Sequence, residues 1–248
     1  QPMLFAHGYG CDQTMWRFVV PAFEATHRTI VFDHVGSGRS DLQAYDFNRY
    51  ARLEGYARDV LEICEAMELR DVVFVGHSVS AMIGVLAARM QAERFSSLIL
   101  VGPSPRYLDD VGYVGGFSQR QMDELLDALD DNYLGWSSSV APLIMGNNDR
   151  PELGRELTNS FCRTDPAIAR HFARVTFLSD NRADLPEVKT RSLVLQCSED
   201  VIAPRAVGEY VHRQLSNSQL TIMRATGHCP NLSAPDETIR CMQKFLHN

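Results

Sequence analysis

Apolar residues follow two alternating rhythms along this chain. Short unbroken apolar runs occupy residues 2–6, 28–32, 72–75, 97–101, 192–196 and 220–223, and each ends in a loop carrying glycine, a carboxylate or histidine. Runs of that length, rich in Val, Ile, Leu and Phe, predict strands covered on both faces. Between them lie stretches with helical spacing. Leu53, Ala57, Val60, Leu61, Cys64 and Met67 define one face of a helix over 53–69, with Arg and Glu on the other side. Residues 79–94 predict a helix of small side chains, and Ile239, Met242, Phe245 and Leu246 a final amphipathic helix capped by Asp236. Strand and helix in alternation predict an α/β fold, a mostly parallel sheet with helices on both faces and its site beyond the carboxyl ends of the strands. Such a fold normally carries strands ahead of residues 2–6, so a missing N-terminal segment is expected.

The alternation stops between 118 and 182. Ser118 and Gln121 form a capping box ahead of Met122, Leu125, Leu126, Leu129 and Tyr133, which share one face. Pro151 opens a segment with Leu153, Leu157 and Phe161 on one side, and Asp165-Pro166 opens another with Ile168, Phe172 and Val175. The chain thus divides into a core of residues 1–116 and 186–248 and a helical lid of residues 117–185. Most apolar lid residues must bury against one another. Phe117, Tyr133, Trp136, Phe172 and Phe177 exceed that need, and some are expected to line a hydrophobic pocket.

Composition narrows the function. The 248 residues, 45% hydrophobic, suffice for one sizeable core, and the net charge is -7 with no Lys/Arg run. Nucleic acid and anionic membrane are therefore excluded as partners. No apolar stretch has the length of a membrane span, and residues 1–3 lack signal-peptide character, so a cytoplasmic protein is expected. The six cysteines are scattered without metal-type spacing, which fits reduced thiols and no bound metal. Cys229 follows a histidine of interest, but packing is the better reading because nothing in the sequence places a base against its thiol or a resolving thiol near it.

The chemistry centres on Gly76-His77-Ser78-Val79-Ser80, a strand, a sharp turn and a helix start. That is the pattern of a nucleophile elbow, which lifts a serine hydroxyl out at the top of a sheet. An N-cap serine is the plainer reading, and the usual Gly-x-Ser-x-Gly has a glycine where Ser80 stands. Gly8-Tyr9-Gly10 lacks the third glycine and following helix of a dinucleotide loop, and residues 36–40 lack the Gly-Lys-Ser/Thr of a phosphate loop, so no cofactor is expected. The Gly8-Tyr9-Gly10 turn instead suits the amide of Tyr9 to a developing oxyanion, with the amide of Val79 as the second donor. Two carboxylates, Glu199 and Asp200, follow the strand at 192–196, and His228 follows the last strand. Serine, acid and histidine in that chain order form a nucleophile, a base and an orienting carboxylate. A serine rather than an aspartate at the elbow disfavours dehalogenase and epoxide hydrolase chemistry, leaving attack on an ester or lactone carbonyl.

Residues 4–13, 32–41, 76–84, 102–108 and 227–230 together resemble one subgroup of α/β-hydrolases, that of the bacterial stress-response regulator RsbQ and the plant karrikin and strigolactone receptors. Gly-His-Ser-Val-Ser resembles the receptor form of the elbow, while His228-Cys229-Pro230 is closer to the bacterial members. The resemblance implies an α/β-hydrolase fold with a four-helix cap and selects Asp200 over Glu199, giving Ser78, Asp200 and His228. It implies a pocket formed by Tyr9, His77, Phe117, Tyr133, Trp136, Val140, Phe177, Val201 and Ile202, with Tyr9 and Val140 standing where other members often carry phenylalanine. It also implies slow hydrolysis of a small hydrophobic ester or lactone, often in the service of signalling, with a phosphatase or F-box protein as partner at the lid surface.

Overall fold

The computed structural model describes residues 1–247. Six parallel strands form one sheet: β1 (Pro2–Ala6), β2 (Arg28–Val31), β3 (Val72–His77), β4 (Phe95–Val101), β5 (Arg191–Glu199) and β6 (Ser218–Thr226). Their order is β2-β1-β3-β4-β5-β6, which puts the elbow strand β3 in the interior of the sheet. Every residue of β3 is buried, and so are all but the first of β1. The edge strand β2 is only half covered, and it stops one residue short of the run its sequence suggested.

Helix α1 (Leu53–Ala66) packs on α2 (Val79–Met90). The former ends earlier than its apolar spacing predicted, because Glu68 turns the chain with a φ of 53°. On the β2 side, Trp16 and Phe23 pack at a tilt against Phe5 with ring centroids 5.3 and 6.4 Å away, extending the core to the sheet edge.

Four helices interrupt the chain between β4 and β5: α3 (Gln119–Asp131), α4 (Tyr133–Met145), α5 (Pro151–Cys162) and α6 (Pro166–Phe177). Ser118 and Gln121 make the capping box, and Asp165 caps α6 through two backbone N–H groups. The helices α4 and α5 pack as a pair, while α3 touches α4 and α6. After β5 come α7 (Arg205–Gln214), a short α8 (Pro230–Ser233) and α9 (Pro235–Leu246). The predicted cap of the last helix is corrected: Ala234 is the N-cap and Pro235 opens α9, so Asp236 lies inside the first turn and acts there through its charge.

Candidate active site

The turn between β3 and α2 holds Ser78 at φ 56°, ψ −123°, a left-handed conformation rare outside glycine. Its backbone N–H is fixed to the carbonyl of Val101, at the end of β4, 2.8 Å away. Gly76 makes the turn possible by close approach, since a Cβ there would lie 2.4 Å from the carbonyl oxygen of Ser80. A larger residue at 76 would push α2 away from the strand that it follows.

The Ser78 hydroxyl lies 2.7 Å from Nε2 of His228, and Nδ1 of that ring lies 2.7 Å from Oδ2 of Asp200. The other carboxylate oxygen accepts the backbone N–H groups of Ile202 at 2.8 Å and Ala203 at 3.0 Å. All three side chains are buried. Burial opposes charge on Asp200, yet the neighbouring His228 and the hydrogen bonds outweigh it and hold the carboxyl below its ordinary range. The rival acid Glu199 is exposed, and its carbonyl instead accepts the N–H of Gly227 at 2.8 Å, which shapes the histidine loop.

His228 is braced from both sides. Its backbone N–H donates to Ile144 at the end of α4, 2.9 Å away, and its carbonyl accepts Nε2–H of His77 at 2.7 Å. The carbonyl has no proton, so the His77 proton sits on Nε2. Burial, and then the proximity of His228, pushes the His77 pKa down to about 3, leaving the ring neutral near pH 7. His77 is thus a brace for the histidine loop as well as part of the cavity wall.

A small cavity of about 30 Å³, with room for a water molecule or two, opens against Ser78 and His228. Of the side chains expected to line it, Tyr9, His77, Phe177 and Ile202 do so. Phe117, Tyr133, Trp136 and Val140 stand outside the lining. Phe117 packs against Phe177, Tyr133 stacks on Trp136, Trp136 stacks on Phe161 at 6.0 Å, and half-buried Val140 joins the same apolar cluster. Val201 is corrected outright: it is 59% exposed and faces solvent, because the turn that sends the Ile202 and Ala203 amides to Asp200 directs residue 201 outward.

Several lining residues were missed. Leu157 and Phe161 were legible as an inward stripe on α5, but nothing in the spacing said that the stripe reaches Ser78. Tyr107 also lines the cavity, with a buried hydroxyl that has no hydrogen-bond partner among the described residues. Cys229 forms part of the wall, and burial lifts its thiol far above the ordinary range, so it packs as an apolar group. Among the described residues, no group of three or more His, Cys, Asp or Glu is arranged to hold a metal ion, and no helix is long and apolar enough to cross a membrane.

A buried serine, histidine and aspartate hydrogen-bonded in line at the carboxyl ends of a parallel sheet belong to a class of folds built for hydrolysis. The alpha/beta hydrolase family model matches residues 3–240, and the chain belongs to that family. It is 37% identical over 249 residues to karrikin insensitive 2 receptor CA of Petunia hybrida, covering 100% of this chain and 92% of that one. Strigolactone esterase D14 of Arabidopsis thaliana is 36% identical over 245 residues, 98% of this chain and 91% of its own. Among solved structures, a hydrolase from Oleispira antarctica is 42% identical with a TM-score of 0.97, covering 100% of this chain and 91% of that one. The likeness to the plant receptors that the motifs suggested therefore runs the length of the chain.

Proposed function

We propose that the protein is a serine hydrolase that opens a small hydrophobic ester or lactone through an acyl-enzyme. The observation that carries this reading is the line of hydrogen bonds from Ser78 through His228 to Asp200, ending on an apolar cavity. His228 takes the Ser78 proton on Nε2 as the oxygen adds to the carbonyl carbon. Asp200 holds the ring with its other proton on Nδ1 and balances the charge that the ring gains. The oxyanion meets the N–H groups of Val79 and Tyr9, and a donor of this kind is worth about 3 kcal/mol of barrier. Collapse expels the alkoxide, which takes the proton back from His228. In a lactone the alkoxide remains attached to the acyl group. Water, deprotonated by His228, then adds to the acyl carbon, and collapse breaks the bond to Ser78, whose oxygen takes the proton back from His228 as the acid leaves.

Residues 117–185 act as a lid in this reading, with α4 meeting the His228 loop and α5 and α6 roofing the cavity. Intact mass spectrometry after exposure to p-nitrophenyl acetate is expected to find one acetyl group on Ser78, absent from Ser78→Ala. An unchanged rate of hydrolysis in Ser78→Ala would sink the mechanism.

The similarity to a karrikin receptor and a strigolactone esterase favours a second role for the same site, slow turnover of a butenolide-like ligand as a signal, with a phosphatase or F-box type protein at the lid surface. A ligand-induced rise in melting temperature that persists in Ser78→Ala supports sensing, and rapid multiple turnover of short esters supports metabolism. All six cysteines are free thiols, which suits a cytoplasmic setting.

A further inference from the structure

Ser80, which replaces the last glycine of the usual elbow pattern, is buried and bonded on two sides. Its hydroxyl lies 2.5 Å from the carbonyl oxygen of His7 and 2.8 Å from Nε2 of His34. The carbonyl has no proton, so the serine donates there and accepts the Nε2–H of His34. The backbone N–H of His34 in turn donates to Nε2 of His7 at 3.1 Å. That leaves the His7 proton on Nδ1, from which it donates to the carbonyl of Gly8 at 2.8 Å. The circuit ties together α2, the loop after β1 and the loop after β2. Ser80, His7 and His34 are almost completely buried, and the two rings meet edge to face at 4.7 Å. Burial, the largest influence on both rings, disfavours their charged forms, consistent with the tautomers the bonds require.

The carbonyl of Gly8 and the N–H of Tyr9 belong to one peptide unit. That unit is planar and trans, so its N–H points opposite to its C=O. Holding the Gly8 oxygen against His7 therefore sends the Tyr9 N–H away from His7. The N–H of Cys11 adds a second hold on the same oxygen at 3.3 Å. A Cβ on Gly8 would lie 2.6 Å from Nδ1 of His77 and 3.3 Å from the Cβ of Ser78, so this peptide runs close against the elbow.

We propose that Ser80 and His34 are positioning residues, which act through His7 to aim the Tyr9 N–H at the oxyanion formed on Ser78. The inference rests on the reading of Ser78 as nucleophile and of the Tyr9 amide as an oxyanion donor. A glycine at 80 would leave the His7 carbonyl and the His34 N–H without partners in a dry interior. Ser80 thus supplies with its hydroxyl a hold on the oxyanion loop that glycine has no group to make.

Hydrolysis of p-nitrophenyl acetate by Ser80→Ala and His34→Phe tests this, with active sites counted by the burst of p-nitrophenol. Each variant is expected to lose about 10- to 100-fold in kcat, because a misaimed donor is lost to the transition state while KM stays within about threefold. The double variant is expected to lose no more than either single one, since both break the same circuit. Methylboronic acid supplies the readout that packing alone would not move. Its boron adds the Ser78 oxygen to give a tetrahedral anion, the serine proton passing to His228, and its affinity should weaken by the same factor as kcat/KM. If Ser80→Ala does not fold, His34→Phe decides alone. A kcat within about twofold of the parent, or a lower kcat with unchanged boronic acid affinity, overturns the proposal. Full activity in Ser78→Ala would instead overturn the hydrolase reading beneath it, so the two failures are distinct.

Discussion

The hydroxyl of Tyr9, on the loop after β1, donates to the backbone carbonyl of Ala169 in α6, 3.0 Å away. Both residues are buried, and the Tyr9 ring also packs against Phe161, Phe172 and Phe177. In the proposed mechanism the same residue gives its amide to the oxyanion, while its side chain ties the loop after β1 to the helices over the cavity. A phenylalanine, frequent here in the resembled subgroup, would pack but could not make the bond.

Tyr9→Phe is expected to destabilise the protein by about 0.5–1.5 kcal/mol, the net worth of one hydrogen bond, since the Ala169 carbonyl lies within α6 and keeps its helical N–H partner. For a chain of this size that lowers the melting temperature by about 2–4 °C per kcal/mol. Amide exchange in α6 should rise more than in β3, which shares no contact with the lost hydroxyl. Equal protection of α6 in both proteins would show that the bond does not hold the helix.

Asp200 makes stability depend on pH in a defined direction. Its folded pKa is depressed, so its contribution is fully present above the ordinary carboxylate pKa of about 4 and is lost as pH falls through the lower folded value. Urea unfolding of Asp200→Asn at neutral pH should show a stability deficit relative to the parent. The deficit should shrink as the pH falls below the ordinary carboxylate range and the parent aspartate itself takes up a proton. A deficit that stays constant with pH would mean that the charge contributes nothing to the fold.

Phe161 limits the size of the cavity, stacking on Trp136 and meeting Tyr9 edge-on at 5.6 Å. Phe161→Leu should raise kcat/KM for p-nitrophenyl butyrate relative to the acetate by about tenfold, the effect of about one buried methylene or two. The ratio is insensitive to the folded fraction of the variant, which matters because truncation to alanine would cost about 3–5 kcal/mol. An unchanged ratio would place the limit on acyl length elsewhere.

Cys162 is exposed, whereas Cys11, Cys64, Cys197 and Cys229 are buried, with the Cys11 thiol pushed up to about 12 and that of Cys64 to about 11 by burial. Iodoacetamide under native conditions should alkylate Cys162 first and reach those four only on unfolding, as peptide mapping will show. Rapid labelling of Cys229 would reveal an opening of the cavity wall.

The local patterns of the chain were enough to locate every strand, three of the four helices between β4 and β5, and the serine and histidine now found hydrogen-bonded as Ser78 and His228. They are local because a buried strand needs an unbroken apolar run and a helix start needs its cap within a few residues. The helix Tyr133–Met145 was not separated from the one before it, whose face was expected to include Tyr133. Boundaries slipped where a tertiary contact or a single φ ended an element, as at Glu68 after α1. Choosing between Glu199 and Asp200 took the resemblance, since adjacent carboxylates on one strand end look alike until the chain direction beyond them is known.

The sequence by itself determined an alternating α/β chain with a helical interruption and a serine, acid and histidine after three of its strands. Tertiary structure alone decided which side chains reach the cavity. Tyr133, Trp136 and Phe161 are all large apolar residues of the same helical insertion, yet only Phe161 touches the space beside Ser78. It also decided what Ser80 does, because the partners of its hydroxyl, His7 and His34, lie 73 and 46 residues away in the chain. Hydrogen bonds between distant segments depend on how the strands are ordered in the sheet, and the spacing of residues along one segment carries no record of that order.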